Sequence, residues 1–206
     1  RQYRGDPVTD PHFETLLQQA RAALLSHPQT QDFCAFPDDV TPQPVVPFHA
    51  PCADYLARET GLFSDRYAGL RDAFVAAGPV ATWRETYKGT GIGKHFMDRF
   101  GCYCLIGKDG AYISTQMFAW VVYMPAHLHY PWHHHPAEEM YLVIAGEAEF
   151  MREGASPEVL RAGDTCFHAS NQPHAMETHD HPVMALVMWR NGFDTPPVLS
   201  EAAQAG

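Results

Sequence analysis

The sequence predicts a mainly β protein in which an N-terminal helical layer packs on an antiparallel β-barrel. Apolar residues recur at helical spacing before about residue 80, and short strand-like runs separated by turn residues follow. The 206 residues are 46% hydrophobic and 18% charged, which is enough for one well-buried core. We therefore expect a helical region (residues 1–80) and a barrel domain (residues 81–206) that share one core and fold as one unit.

The helical layer begins with a predicted helix over about residues 10–27. Apolar side chains follow its helical period, Asp10 suits the N-cap, and Pro11 suits the first helical position. Residues 28–51 hold six prolines and predict an irregular connection. Further helices are predicted over about 52–60 and 65–77, and Gly78 and Pro79 end the second.

The barrel follows from eight short segments with strand-like composition. In "EMYLVIAGEAEF", Gly146 predicts a hairpin between two strands. About eight strands joined by short turns are typical of an antiparallel sandwich or barrel. The glycine-rich segment 87–96 fits no phosphate-binding loop and predicts a mobile loop. The eight segments are ATWRETY, FGCYCLIG, TQMFAWVVYMP, EMYLVIAG, EAEFMRE, EVLRAGDTCFH, HAMETH and PVMALVMWR.

The charge balance limits the classes of partner. The net charge of −10 argues against nucleic acid and anionic membranes, because both require a basic surface. No stretch is apolar over the ~18 residues that a membrane span needs. The first ten residues contain no apolar signal core, and they lack Met, which leaves open whether a leader preceded them.

The five cysteines form no disulfide-framework spacing, and their number is odd. This indicates reduced thiols and a cytoplasmic protein. Cys102 and Cys104 alternate within a predicted strand, so we expect both on one face as buried thiols. The sequence does not decide between a monomer and a homodimer.

Histidines are concentrated in the barrel region, where nine of the 13 lie between residues 127 and 181. In "PWHHHPAEEMY", His133 and His135 share one face of an extended segment, and His134 points away. Glu139 follows after three residues. Tyr141 would share the face of Glu139 on the next strand.

A second segment, "RAGDTCFHASNQPHAME", runs from a turn through a strand to His174. If the strand that follows lies near the Glu139 strand, His174 completes a site of three imidazoles and one carboxylate. Such a site suits one divalent transition metal ion, namely Zn, Fe(II), Mn, Co or Ni. The simpler alternatives are a solvated polar loop, or a barrel that has lost its metal.

The two segments resemble the two metal-binding motifs of the cupins, which are small antiparallel jelly-roll barrels. The pattern departs at Ala169 and Asn171, where cupins usually have Pro and Gly. Asn tolerates the left-handed conformation that a tight turn needs, so this change is mild. His168 is also unusual. The matching residues are His133, His135, Glu139 and Gly146 in the first motif, and Gly163, Asp164, Pro173 and His174 in the second.

The segment "YMPAHLHYPWHHHPAEEMY" and the helical N-terminal half are similar to the bacterial cupin-type dimethylsulfoniopropionate lyases, in particular the Q-type. This resemblance implies a small zwitterionic sulfonium substrate that is cleaved to dimethyl sulfide and acrylate. It implies Tyr141 as a metal-proximal tyrosine and base, and Tyr130 as a second active-site tyrosine. The implied metal ligands are His135, Glu139 and His174, with His133 as the remaining cupin ligand.

A sulfonium has no hydrogen-bond donor, so aromatic faces are its natural partners through cation–π attraction. Tyr123, Tyr130, Trp132 and Trp189 are candidates to line the substrate site, together with His133. Two rival functions remain open at this point. One is a cupin Fe(II) oxygenase of a small organic acid, which would need oxygen. The other is a cupin that binds a small molecule without turnover.

Overall fold

Five helices precede or interrupt the sheet in the computed structural model, which describes residues 9–200. Residues 1–8, on which the expectation about a leader falls, lie outside this range. No helix in the described range is long and apolar enough to cross a membrane. The helices are α1 (Pro11–Ser26), α2 (Pro28–Phe33), α3 (Pro51–Ala57), α4 (Ala68–Ala77) and α5 (Lys94–Met97), and a 3-10 turn spans Gly78–Val80.

The predicted helix starts and stops are largely confirmed. The Asp10 side chain accepts a hydrogen bond from the backbone N–H of His12 at 2.9 Å, which caps α1. α4 ends at Gly78, as expected. The prediction of a wholly irregular connection over 28–51 is wrong, because Pro28 opens the short helix α2 and the His27 ring caps it by accepting from the backbone N–H of Gln29.

The sheet contains eleven strands, and the longest of them joins its two halves. Along the main path the strand order is β1-β3-β2-β4-β10-β6-β9-β5-β11, and β7 and β8 also pair with β6. The strands are β1 (Thr41–Pro42), β2 (Gly101–Ile106), β3 (Tyr112–Ile113), β4 (Phe118–Met124), β5 (His129–His134), β6 (Glu139–Arg152), β7 (Glu158–Arg161), β8 (Thr165–His168), β9 (His174–Glu177), β10 (Val183–Trp189) and β11 (Val198–Leu199).

The hairpin expected at Gly146 is not formed. β6 runs through this residue, pairing with β8 and β10 before it and with β7 and β9 after it. Gly146 has φ +67°, and a Cβ there would lie 1.9 Å from the Pro182 carbonyl oxygen. The glycine therefore lets one strand bend from one side of the barrel to the other.

Two further strand predictions need correction. The segment "ATWRETY" forms no strand and contributes only single bridges, at Thr82 with Phe48 and at Trp83 with Tyr103. Conversely, the extended histidine segment contributes β5, which pairs with β9 and β11. The segment "EVLRAGDTCFH" forms two strands, β7 and β8, and each of the remaining predicted segments lies in a strand of the sheet.

The strands bury both of their faces, in two separate cores. On β4, Trp120 and Val122 point into the barrel, whereas Val121 and Tyr123 point towards the helices. Helices α1 to α4 cover the outer face, while Phe96 of α5 belongs to the interior. The outer core contains residues of both the helices and the strands, and the sheet separates it from the core inside the barrel. The functional residues lie in the inner core.

Candidate metal centre

Three side chains from the predicted motifs meet at one end of the barrel interior. His135 follows β5, Glu139 begins β6 and His174 begins β9. Their ligand atoms all lie within 4.8 Å of one another, and each residue is at most 3% exposed. The Nε2 atoms of His135 and His174 each lie 3.2 Å from a different oxygen of the Glu139 carboxylate.

The backbone fixes which nitrogen of each histidine is free. Nδ1 of His133, His135 and His174 lies 2.7, 2.9 and 2.8 Å from the carbonyl oxygens of Pro131, Ala137 and Gln172, respectively. A carbonyl oxygen only accepts hydrogen bonds, so Nδ1 of each ring carries a proton, and Nε2 is the nitrogen that remains available to bind a metal ion. This is the arrangement in which proteins present histidine to a metal ion.

The two Nε2 atoms that face Glu139 are buried and have no hydrogen-bond partner. Leaving a buried acceptor unpaired costs about 1–3 kcal/mol, so such atoms require an explanation. Two imidazole nitrogens and one carboxylate, converging within 4.8 Å, are a donor set that divalent transition metals prefer. His135, Glu139 and His174 therefore could hold a metal ion.

The loop before β9 is tied to the same group. Asn171 has φ +58°, and its backbone N–H donates to the His135 carbonyl oxygen at 2.8 Å. Asn171 thus adopts the left-handed conformation that asparagine tolerates, at the position where cupins usually have Gly. The turn thereby fixes the His174 segment relative to His135.

Glu139 also receives hydrogen bonds from two residues outside the three-residue group. His168 Nδ1 lies 2.7 Å from Oε1, and Trp189 Nε1 donates to Oε2 at 2.7 Å. Burial acts to raise the pKa of Glu139, but His135, His168 and His174 outweigh it and hold that pKa well below its usual value. Glu139 is thus a carboxylate anion.

His133 is placed beside the group, not within it. It is buried, lies opposite His174 in the β5–β9 pair, and its ring centroid is 4.1 Å from that of His174. It is not among the residues whose ligand atoms lie within 4.8 Å of one another. Burial, and then His174, lower the pKa of His133 well below its usual value, so it is neutral.

A cavity of about 50 Å³ opens next to Glu139. Five of its twelve lining residues are aromatic, and two of them, Trp120 and Trp189, meet edge to face with ring centroids 4.5 Å apart. One cation, Arg84, also lines the cavity, with its guanidinium 5.7 Å from the centre of the Trp120 ring. The aromatic and acidic lining residues are Phe100, Trp120, Tyr130, Glu139, Tyr141 and Trp189.

Both predicted site tyrosines line this cavity. Tyr141 is buried, and its pKa is raised well above the usual value, first by burial and then by the Glu139 charge. Tyr130 stacks on His133 with ring centroids 3.9 Å apart, and its hydroxyl lies 2.6 Å from that of Tyr87. Burial raises the pKa of Tyr130 as well.

Two predicted substrate-binding residues lie elsewhere. Tyr123 is three residues from Trp120 on β4, so it faces the helices, where its hydroxyl donates to the Glu59 carboxylate. Trp132 is half-buried and does not line the cavity, because a register shift between Tyr130 and His133 interrupts strict alternation on β5. Trp189 does line the cavity.

Sequence reasoning missed Tyr87 and left the direction of His168 undecided. Tyr87 opens the segment predicted as a mobile loop, yet Tyr87 and Phe96 from that segment are both buried against Tyr130. A glycine-rich segment with single aromatic residues at its ends has no apolar period that would predict the burial of those residues. For His168, strand alternation in the second motif left the direction of the side chain open, and the structure makes His168 the last residue of β8.

The remaining histidines of the cluster are peripheral. His134 Nδ1 lies 2.8 Å from the Ser200 hydroxyl, on the outer side of β5. The others have side chains at least half exposed and lie within 4 Å of surface carboxylates; they are His127, His129, His179 and His181. Exposed pairs of this kind contribute little to stability.

Two imidazole nitrogens and a buried carboxylate that converge inside a β-barrel form a group that could hold a metal ion, and the barrel has the cupin fold, in which such sites are typical. The chain belongs to the dimethylsulfoniopropionate lyase family, whose model matches residues 21–185. It is 52% identical over 192 residues to dimethylsulfoniopropionate lyase DddQ of Ruegeria pomeroyi, covering 93% of this chain and 96% of that protein.

Two solved structures agree with this assignment. The crystal structure of dimethylsulfoniopropionate lyase DddQ from Ruegeria pomeroyi superposes with a TM-score of 0.92, at 52% identity, over 93% of this chain and 98% of that one. A structure from a study of the dimethylsulfoniopropionate lyases RdDddP and RnDddQII superposes with a TM-score of 0.89, at 35% identity, with the same coverage.

Proposed function

We propose that this protein is a metal-dependent carbon–sulfur lyase that cleaves dimethylsulfoniopropionate to dimethyl sulfide and acrylate. The observation that carries the proposal is the pair of unpaired Nε2 atoms facing Glu139, because Glu139 itself lines the cavity together with Tyr141. The relatives named as dimethylsulfoniopropionate lyases over nearly the whole chain support the substrate.

His135, Glu139 and His174 would hold the metal ion, and His133 is the candidate for a fourth ligand. The ion is one divalent transition metal, namely Zn, Fe(II), Mn or Co, since all four accept imidazole nitrogen and carboxylate oxygen. When bound, it supplies positive charge that binds the substrate carboxylate and stabilises the enolate-like charge of the transition state.

Tyr141 is the proposed base. Its hydroxyl belongs to a buried side chain on the Glu139 face of β6, within the cavity wall. Burial and the Glu139 charge raise its pKa, so its phenol keeps the proton until positive charge is added beside Glu139. With positive charge beside Glu139, the phenol of Tyr141 would release its proton to solvent, and the resulting phenolate would take the α-proton of the substrate.

The elimination needs no further reactant. The electron pair of the Cα–H bond forms the Cα=Cβ double bond, the Cβ–S bond breaks, and sulfur leaves with that electron pair as neutral dimethyl sulfide. The proton resides on the Tyr141 oxygen and returns to solvent. No water and no oxygen is consumed, which distinguishes this reaction from that of an oxygenase.

The remaining cavity residues orient the substrate. Trp120 and Trp189 present aromatic faces on which a sulfonium gains about 0.5–2 kcal/mol per ring. Tyr130, held by Tyr87 and stacked on His133, is the second tyrosine that can reach the substrate. Tyr123 and Trp132 have no part in this site because of where they lie.

We also propose that the reaction takes place in the cytoplasm. Each of the five cysteines is free, which supports a reducing compartment. Thiol titration of the unfolded protein, isolated without reductant from native cells, should count five thiols, and a lower count would contradict this proposal.

The test is headspace gas chromatography of the purified protein with dimethylsulfoniopropionate under argon. We expect dimethyl sulfide without oxygen, loss of the signal with a chelator, and its return when a divalent transition metal is added back. Release that requires oxygen would indicate an oxygenase. Ligand binding without any product, by fully metallated protein, would indicate a cupin without turnover.

A further inference from the structure

Two residues flank Glu139 in the strands on either side of it. His168 of β8 and Trp189 of β10 both lie directly opposite Glu139 in the strand register. His168 Nδ1 lies 2.7 Å from Oε1, and Trp189 Nε1 lies 2.7 Å from Oε2. The register of the sheet therefore delivers one donor to each oxygen of the carboxylate.

The same two rings also pack on the ligand histidines. His168 stacks on His174 with ring centroids 3.7 Å apart and an angle of 13° between the planes. Trp189 stacks on His135 with centroids 4.5 Å apart and an angle of 29°. Each ring thus contacts the carboxylate and one histidine, and the three candidate ligands are held between the two rings.

His168 is a histidine whose two nitrogens are both engaged. A carboxylate only accepts hydrogen bonds, so Nδ1 carries the proton that is donated to Glu139. Nε2 lies 3.5 Å from the Cys166 thiol, which is a weak donor. Neither nitrogen of this 1% exposed side chain presents a free lone pair to the three-residue group.

We propose that His168 is a positioning residue that sets the metal affinity of the site by orienting the Glu139 carboxylate and the His174 ring. Trp189 has the corresponding role on the other side, where it donates to Oε2 of Glu139 and stacks on the His135 ring. The inference rests on the metal centre of the proposed function, but it does not depend on the substrate. Outer partners of metal ligands typically change metal affinity by about 10–100-fold.

The test compares His168→Leu with His168→Asn in the full-length protein. The asparagine amide nitrogen can take the position of Nδ1 and donate to Glu139, whereas leucine fills similar space without a donor. Metal-free proteins are titrated with Co²⁺ in competition with a chelator, and the visible absorption of bound Co²⁺ reports its ligand set. Circular dichroism establishes that each variant is folded.

We expect His168→Leu to weaken Co²⁺ binding by about 10–100-fold. His168→Asn should recover most of the Co²⁺ affinity that His168→Leu loses. The Co²⁺ absorption bands should stay at the wild-type wavelengths in both variants. If His168→Leu does not fold, His168→Gln replaces it, because its amide lies one bond further out and cannot occupy the Nδ1 position. His168→Gln should then bind Co²⁺ more weakly than His168→Asn.

Unchanged Co²⁺ affinity in His168→Leu, or in His168→Gln where it is used, would overturn the proposal. Shifted Co²⁺ bands in His168→Asn would also overturn it, because they would make His168 itself a ligand. The result of this Co²⁺ titration does not depend on whether the protein is a lyase. A wild-type protein that binds Co²⁺ with the expected variant pattern, but releases no dimethyl sulfide, supports this inference and refutes the substrate.

Discussion

The two faces of the barrel strands use buried polar groups in different ways. Beneath the helices, the Tyr103 hydroxyl donates to the Phe74 carbonyl oxygen, and the Trp83 indole donates to the Gly78 carbonyl oxygen at 2.9 Å. Inside the barrel, two histidine nitrogens are buried without any partner. On the helical face these groups find partners within the protein, whereas the interior face leaves two converging nitrogens that could bind a metal ion.

The contrast has one exception among the described residues. The Tyr67 hydroxyl lies in the helical core and is buried without a partner. It is one isolated atom, whereas the Nε2 atoms of His135 and His174 converge on the Glu139 carboxylate. A group of convergent unpaired atoms indicates a binding site, and a single unpaired atom does not.

Loss of a metal ligand from the interior face should have the largest effect on activity. We expect His135→Ala and Glu139→Ala to lose bound metal and to release dimethyl sulfide at least about 100-fold more slowly, since even outer partners cost 10–100-fold. Metal content by elemental analysis and headspace gas chromatography measure the two effects. Full metal occupancy in both variants would contradict the assignment of His135 and Glu139 as metal ligands.

The next largest effect should come from Tyr141→Phe, which removes one hydroxyl and keeps the ring. Because general base catalysis is worth about 10²–10⁴-fold, kcat should fall by this factor while metal content stays at the wild-type level. Tyr103→Phe is the matched control, since it removes a buried hydroxyl from the opposite face. Near-normal turnover of Tyr141→Phe would exclude Tyr141 as the base.

Acid should destabilise the metal-free protein through its neutral buried histidines. Burial, and then His174, lower the pKa of His168 to about 4 in the folded protein, against a value of about 6.5 when unfolded. The contribution of the neutral His168 ring to the free energy of unfolding is therefore fully present above pH 6.5. It is lost as the pH falls towards 4, by up to about 1.4 kcal/mol per pH unit.

Urea unfolding of chelator-treated protein at several pH values measures this effect. Between pH 6.5 and 4, the free energy of unfolding of His168→Asn should fall less steeply than that of the wild type, because the titrating group is absent. Parallel slopes for the two proteins would contradict the assignment of the lowered pKa to His168.

Tyr87→Phe should have a smaller effect on activity. It removes the hydroxyl that lies 2.6 Å from the Tyr130 hydroxyl and leaves the aromatic packing of both rings. A buried neutral hydrogen bond contributes about 0.5–1.5 kcal/mol, so kcat should fall about two- to tenfold. Steady-state kinetics would show the change, and wild-type kcat would mean that the position of Tyr130 does not depend on Tyr87.

Tyr123→Phe should have the smallest effect on activity, although its ring is as deeply buried as those inside the barrel. Its hydroxyl donates to Glu59 on the helical side, so its loss should lower the free energy of unfolding by about 1–2 kcal/mol. Turnover should stay near the wild-type rate. A fall in kcat comparable with that of Tyr141→Phe would show that the two faces are not functionally separate.

The sequence predicted the parts of the fold that depend on local pattern. Period-2 alternation predicted Cys102 and Cys104 on one face as buried thiols, which is where they lie, and the Asp10-Pro11 pair marked the start of α1. The hairpin at Gly146 was wrong because a glycine with positive φ serves a bend within one strand as well as it serves a turn. Only the position of the Pro182 carbonyl distinguishes the two cases.

The candidate site was predictable where a motif fixed the spacing, as for His135, Glu139 and His174. It was not predictable where a shift in register decided the direction of a side chain. On β5, such a shift turns both Tyr130 and His133 inwards and leaves Trp132 outside the cavity. Residues from distant segments, such as Tyr87, carry no local signal at all.

The most direct test of the metal centre is anomalous diffraction at the zinc absorption edge, from crystals of protein loaded with one Zn²⁺ per chain. The predicted result is a single peak within about 2.0–2.2 Å of Nε2 of His135, Nε2 of His174 and an oxygen of Glu139. The same map decides whether His133 is a fourth ligand. A peak at another place in the molecule would contradict the assignment of the metal site to His135, Glu139 and His174.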